Sequence, residues 1–159
     1  MEKKCLSVDK YLAETGSLEC ISPWVEVSQE LINTFADATH DHQFIHVDEK
    51  RAKGETAFGG TIAHGFLSLS LLSKFASDAL PGIENRAMVI NYGFEKIRFL
   101  NPVSSGSRLR GHFKLVEANL RKPGEYLSRF EVSVEIEKQE KPALVADWLS
   151  LTLMNKETT

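Results

Sequence analysis

The chain has 159 residues, 42% of them hydrophobic and 26% charged, and a net charge of −3 from 19 basic and 22 acidic side chains. Those proportions belong to an ordinary globular protein with enough chain to bury a sizeable core. The absence of a long run of either charge argues against a nucleic-acid groove or a polybasic membrane patch, and no apolar run reaches the roughly 20 residues of a membrane helix. Cys5 and Cys20 form no CxxC pair, and the first ten residues lack the apolar segment of a secretory signal, so a reduced, cytoplasmic setting is expected.

Taken in order, residues 7–15 suit a short helix capped by Ser7 and stopped by Gly16. Trp24-Val25-Glu26-Val27 alternates like a strand. Ser28 then reads as the N-cap of a helix whose apolar positions Leu31, Ile32, Phe35, Ala36 and Ala38 recur at helical spacing to about Thr39. From His40 to His46 neither period holds, which predicts an irregular turn. Asp48–Gly54 reads as one or two helical turns closed by Gly54. The most apolar run follows Gly59-Gly60 and predicts a helix from about Thr61 or His64 to Ala79, ended by Pro81-Gly82.

That helix carries Ile62, Phe66, Leu67, Leu69, Leu71, Leu72, Phe75 and Ala76 around most of its circumference, so it needs cover on most sides. Four strand-like runs at about 86–99, 107–118, 126–138 and 143–154 supply it, and their short separators predict an antiparallel meander. The expected class is α+β: one strongly curved antiparallel sheet around a central buried helix. One domain is expected, with 1–20 as an N-terminal extension and 24–154 as the core.

Thr39 to Asp48 concentrates imidazoles and carboxylates as no other stretch does. Asp41 and His46 would lie roughly 140° apart on a helix and on opposite faces of a strand, so they converge only if the segment is bent. A carboxylate beside an imidazole can hold a water and take its proton. The plainer alternative makes Asp41 a cap and His46 a surface loop residue. His40, His42 and His46 with Asp41 also invite a zinc reading, but match no compact zinc spacing. If the central helix begins near His64, the Gly65 N–H is a donor without an intrahelical partner and can hold an oxygen on which negative charge builds. If it begins at Thr61, that role fails. Gly59, Gly60 and Gly65 also serve close packing, His64 reads as a supporting side chain, and Ser73 reads as an ordinary helical serine.

Thr39-His40-Asp41-His42-Gln43-Phe44-Ile45-His46, with Ala52 six residues on, and Gly59-Gly60-Thr61-Ile62-Ala63-His64-Gly65-Phe66-Leu67 resemble the MaoC-like hydratase/dehydratase family. Its nodulation-protein-N-like branch is nearer, with Phe44 where that branch has Trp. Asn91-Tyr92-Gly93-Phe94-Glu95-Lys96-Ile97-Arg98-Phe99 is similar to the same branch, and the likeness spans about 24–154. The resemblance implies a hot-dog fold, pairing into homodimers or larger assemblies, and an acyl-CoA substrate at the subunit interface. The implied reaction is reversible addition of water to a trans-2-enoyl-CoA, giving the (R)-3-hydroxyacyl-CoA. It implies Asp41 and His46 on the water, the Gly65 N–H on the thioester carbonyl, Ser73 in support, and His64, Gly60 and Phe44 near the substrate.

The resemblance implies neither cofactor nor metal. Lys50, Arg51, Lys53, Lys96 and Arg98 are candidate cations for CoA phosphates. His40 stands where the family pattern has Gly, a residue used where φ is positive or the backbone is closely approached, so it is expected to shift Asp41 or crowd the pocket. Two other readings stay open. A hot-dog thioesterase would need a carboxylate at the central helix, where Asp78 and Glu55 are poorly placed. The other is a non-catalytic acyl-thioester-binding protein.

Overall fold

The computed structural model describes residues 5–155. Strand β1 (Cys5–Leu6) and helix α1 (Val8–Ala13) come first, with the Ser7 hydroxyl accepting from the Lys10 N–H. Strands β2 (Glu19–Ile21) and β3 (Val25–Val27) follow, then α2 (Gln29–Thr39), whose Ser28 cap accepts from Leu31 N at 3.2 Å. Three short helices come next: α3 (Phe44–Val47), α4 (Glu49–Glu55) and α5 (Gly65–Ser70). Helix α6 (Leu72–Ala79) and strands β4 (Gly82–Ile83), β5 (Arg86–Phe99), β6 (Ser107–Lys122), β7 (Glu125–Ile136) and β8 (Leu144–Met154) complete the order.

The large sheet runs β2-β6-β7-β8-β5 and is antiparallel, with β3 also on β6. The meander is therefore three strands, β6 to β8. The first long strand, β5, does not join β6 as expected but crosses to the far side of β8. That crossing places α5 and α6 against the sheet's inner face. Leu72, Phe75 and Ala76 are buried there. Gly111 on β6 makes the approach possible, because a Cβ at that position would lie 2.8 Å from Phe75 Cβ and from the Phe113 ring. Phe113, Phe130 and Trp148 fill the adjacent core with tilted and edge-on ring contacts.

Several expected boundaries move. The segment after His40 is not wholly irregular, since α3 occupies its end. Gly54 lies inside α4, which closes at Thr56. The central helix begins at Gly65 and is interrupted at Leu71. It is also less enclosed than its apolar run predicts: Gly65, Phe66, Ser70, Ser73, Lys74 and Ser77 are exposed. The stretch expected to be an extension contributes β2 to the sheet and Leu6 and Tyr11 to the core. Tyr11 donates to the buried Ser128 hydroxyl at 2.8 Å, and burial pushes its phenol up to about 12. Among the described residues no helix is long and apolar enough to cross a membrane.

Candidate active site

Helix α2 ends because His40 turns left-handed (φ 60°, ψ 21°) and reverses the chain. The Asp41 carboxylate then accepts from Gln43 N at 3.4 Å, and the single turn of α3 swings His46 inward. This is the bend that the pairing of Asp41 with His46 requires. His40 takes the left-handed conformation that favours glycine, with its side chain exposed and outside the residues that line the His46 cavity. His46 is only 7% exposed, which removes the reading of it as a surface loop residue, and the cap of α4 is Asp48 rather than Asp41.

The chain around His46 is held from three directions. Ile62 N donates to Ile45 O at 3.0 Å, Ala63 N donates to Val103 O at 2.7 Å, and Gln29 Nε2 donates to His46 O at 2.7 Å. Thr61 Oγ1 donates in turn to Gln29 Oε1. Gln29 thus ties the start of α2 to both halves of the site, a role invisible in the sequence because its partners are far along the chain.

His46 Nδ1 lies 2.7 Å from Ile62 O. A carbonyl only accepts, so Nδ1 carries the proton and Nε2 keeps its lone pair. Burial, the largest cause, pushes His46 below the ordinary imidazole value. The Ile62 hydrogen bond and the Asp41 carboxylate pull it up, while His64 adds to the lowering. His64 stacks on His46 with ring centroids 3.7 Å apart and bonds the Asp41 carbonyl through Nε2 at 2.9 Å. Phe35 covers its other side, so His64 props Asp41 and His46 from behind.

One ligand atom from each of Asp41, His46 and His64 lies within 4.8 Å of the others, a grouping different from the set of His40, His42, His46 and Asp41 weighed for zinc. Two imidazoles stacked at 3.7 Å with planes 26° apart do not aim their in-plane lone pairs at one point about 2 Å from both, so the trio is poorly shaped for an ion.

His46, Ile62, Gly65, Ser68, Phe99 and Asn101 share a cavity of about 290 Å³. Because α5 begins at Gly65, the Gly65 N–H has no intrahelical acceptor. Phe99 leans over it, within 3.0 Å of where a Cβ would be. A larger groove of about 660 Å³ crosses the sheet's outer face among Glu19, Lys96, His112, Lys114, Glu131 and Asp147. The smaller cavity, which brings the buried His46 together with Gly65 at the start of a helix, is the stronger candidate.

Ser73 lies eight residues beyond Gly65, roughly 12 Å along a helix axis. It accepts from Asn91 Nδ2 at 3.0 Å in a separate pocket with Leu69, Phe94 and Trp148. Within one chain it does not meet His46. Phe44 lies 4.2 Å beneath the Arg51 guanidinium, and Gly60 is half-buried at the turn before the central helix. Asp78 and Glu55 are paired with Lys74 and Arg51.

The MaoC like domain family matches residues 17–137. The chain belongs to the MaoC-like dehydratase family. Nodulation protein N of Rhizobium meliloti is 49% identical over 134 residues, covering 84% of this chain and 83% of that protein. The 3-hydroxyacyl-thioester dehydratase Z of Mycobacterium tuberculosis is 42% identical over 141 residues, covering 89% and 92%. Among solved structures, the (R)-hydratase from A. caviae involved in PHA biosynthesis superposes with a TM-score of 0.70 at 21% identity, covering 84% of this chain and 92% of that one. The fold is the hot-dog fold, in the nodulation-protein-N branch of the family.

Proposed function

We propose that this chain is an (R)-specific enoyl-CoA hydratase, working in reverse as a 3-hydroxyacyl-CoA dehydratase. The observation that carries the reading is His46: buried, with its proton fixed on Nδ1, a ring nitrogen within 4.8 Å of an Asp41 carboxylate oxygen, and a cavity shared with Gly65. In the hydration direction Asp41 and His46 hold a water and take one of its protons as its oxygen bonds to the β-carbon. The displaced π electrons move onto the thioester oxygen, where the Gly65 N–H stabilises them. The α-carbon then takes a proton from the same pair, so the product gains one water and the pair ends unchanged. The enoyl-CoA substrate and the stereochemistry come from the family and from relatives named as dehydratase and hydratase.

A second copy of this chain completes the proposal. Strand β5 is a 14-residue sheet edge with Met88, Val89, Ile90 and Tyr92 exposed, continuous with the exposed Phe66 and Phe99 beside the cavity. A long apolar edge of this kind invites pairing. A homodimer is expected by sedimentation, and Ile90→Lys should yield monomers; a wild-type monomer would remove this part.

The deciding experiment is hydration of crotonyl-CoA by wild type, Asp41→Asn and His46→Ala. Loss of either acid/base partner should cost roughly 10²–10⁴-fold in rate. Asp41 is the cleaner probe, because its side chain is 54% exposed and its replacement leaves the core intact. Wild-type protein that binds CoA esters without hydrating them would remove the activity and favour the non-catalytic binding reading.

A further inference from the structure

Ser68 is 2% exposed, yet its hydroxyl has no hydrogen-bond partner among the described residues. Leaving a buried hydroxyl unmatched is costly, and native structures seldom do so without a reason. Helical hydroxyls elsewhere in this chain show the ordinary solution. Thr34, Thr39, Thr56 and Ser70 each bond back to the carbonyl four residues earlier, at 2.9, 2.7, 2.6 and 2.7 Å. Ser68 has the same opportunity with His64 O, which instead accepts from the Leu67 and Ser68 N–H groups at 3.0 and 3.3 Å. Ser68 is among the residues that line the cavity holding His46 and Gly65. Helical side chains tilt toward the N-terminus, and residues three apart share a face, so Ser68 lies over the turn that starts at Gly65.

We infer that the Ser68 hydroxyl donates a second hydrogen bond to the acyl-thioester carbonyl oxygen, alongside the Gly65 N–H. The assignment rests on the hydratase reading above and adds a substrate-contacting residue to it. The substrate oxygen would supply the partner that the hydroxyl lacks among the described residues. That bond strengthens as negative charge collects there, so its loss acts on the chemical step more than on ground-state binding.

The test is crotonyl-CoA hydration by Ser68→Ala and Ser68→Thr beside wild type, with melting temperatures. Ser68→Ala should lower kcat by about 10²-fold with little change in KM, as expected for loss of one oxyanion donor. Its Tm should equal or exceed that of wild type, because an unmatched buried hydroxyl has been removed. Ser68→Thr should recover most of the rate. In an Asp41→Asn background, bound hexa-2,4-dienoyl-CoA should show a red-shifted absorption band that shrinks when Ser68→Ala is added.

Wild-type kcat in Ser68→Ala would overturn the assignment and leave the hydratase reading standing. A kcat loss that follows a fall in Tm and is not recovered by Ser68→Thr would make Ser68 structural and overturn it too. Wild-type protein unable to hydrate enoyl-CoA would remove both.

Discussion

Replacing His40 with glycine separates two accounts of the Asp41 loop. His40 sits at φ 60° and ψ 21°, with its side chain in solvent. A left-handed backbone costs an L residue roughly 1–2 kcal/mol, toward the lower end for histidine, which enters this region more readily than most. Glycine removes that strain but adds freedom to the unfolded chain, worth roughly 0.4–1 kcal/mol against folding. The strain relief is the larger of the two, so His40→Gly should gain up to about 0.6 kcal/mol. For a chain of this length that raises Tm by at most roughly 2 °C. Because the native backbone already occupies the glycine conformation, Asp41 should stay in place and hydration should remain within about twofold of wild type. Thermal denaturation and a crotonyl-CoA assay read the two quantities separately. A lower Tm would refute the strain argument. A rate increase of tenfold or more would mean that His40 had displaced the carboxylate, contrary to the geometry described above.

Gly65→Ala places a methyl 3.0 Å from Phe99 Cδ1, and Phe99 is 48% exposed and free to yield. Stability should therefore change by no more than about 1 kcal/mol, while kcat/KM falls about 10²-fold because the carbonyl loses its approach to the N–H; equal activity would show that Gly65 serves packing alone. Gly111→Ala is the opposite case, since its methyl meets Phe75 Cβ and the Phe113 ring at 2.8 Å. It should cost at least about 2 kcal/mol in urea denaturation, and a neutral result would refute the close approach of α6 to β6 at this position. In the proposed mechanism the neutral His46 ring is the working form, so its lowered pKa should set the acid limb of kcat/KM below the ordinary imidazole value. In the window between that lowered value and the ordinary one, the unfolded chain binds more protons than the folded one. Stability from His46 is thus complete at neutral pH and is lost as the pH falls through that window. His46→Ala should flatten that part of the stability profile, and an unchanged profile would mean that another group titrates there.

What could be read from the chain is what depends on local spacing. Ser28 before an apolar stripe predicts α2, the four β-rich runs between Pro- and Gly-containing turns predict the long strands, and Asp41 with His46 stands out by composition. What could not be read depends on long-range contacts. Nothing local distinguishes β5 pairing with β8 from β5 pairing with β6, because both are long β-rich strands able to offer it an antiparallel ladder. The bareness of one side of the central helix follows from that choice of partner, so Phe66 looked buried in the sequence and is 68% exposed in the fold. Ser68 illustrates the same division. In the sequence it is one serine among several in an apolar helix, indistinguishable from Ser70. Only the burial of its side chain, and a carbonyl already occupied by two backbone donors, make its hydroxyl different. The family motif could mark Asp41 and His46, the pair proposed to handle the water, because both residues sit in one bent segment. A donor that acts through an unmade bond leaves no motif, and packing alone reveals it.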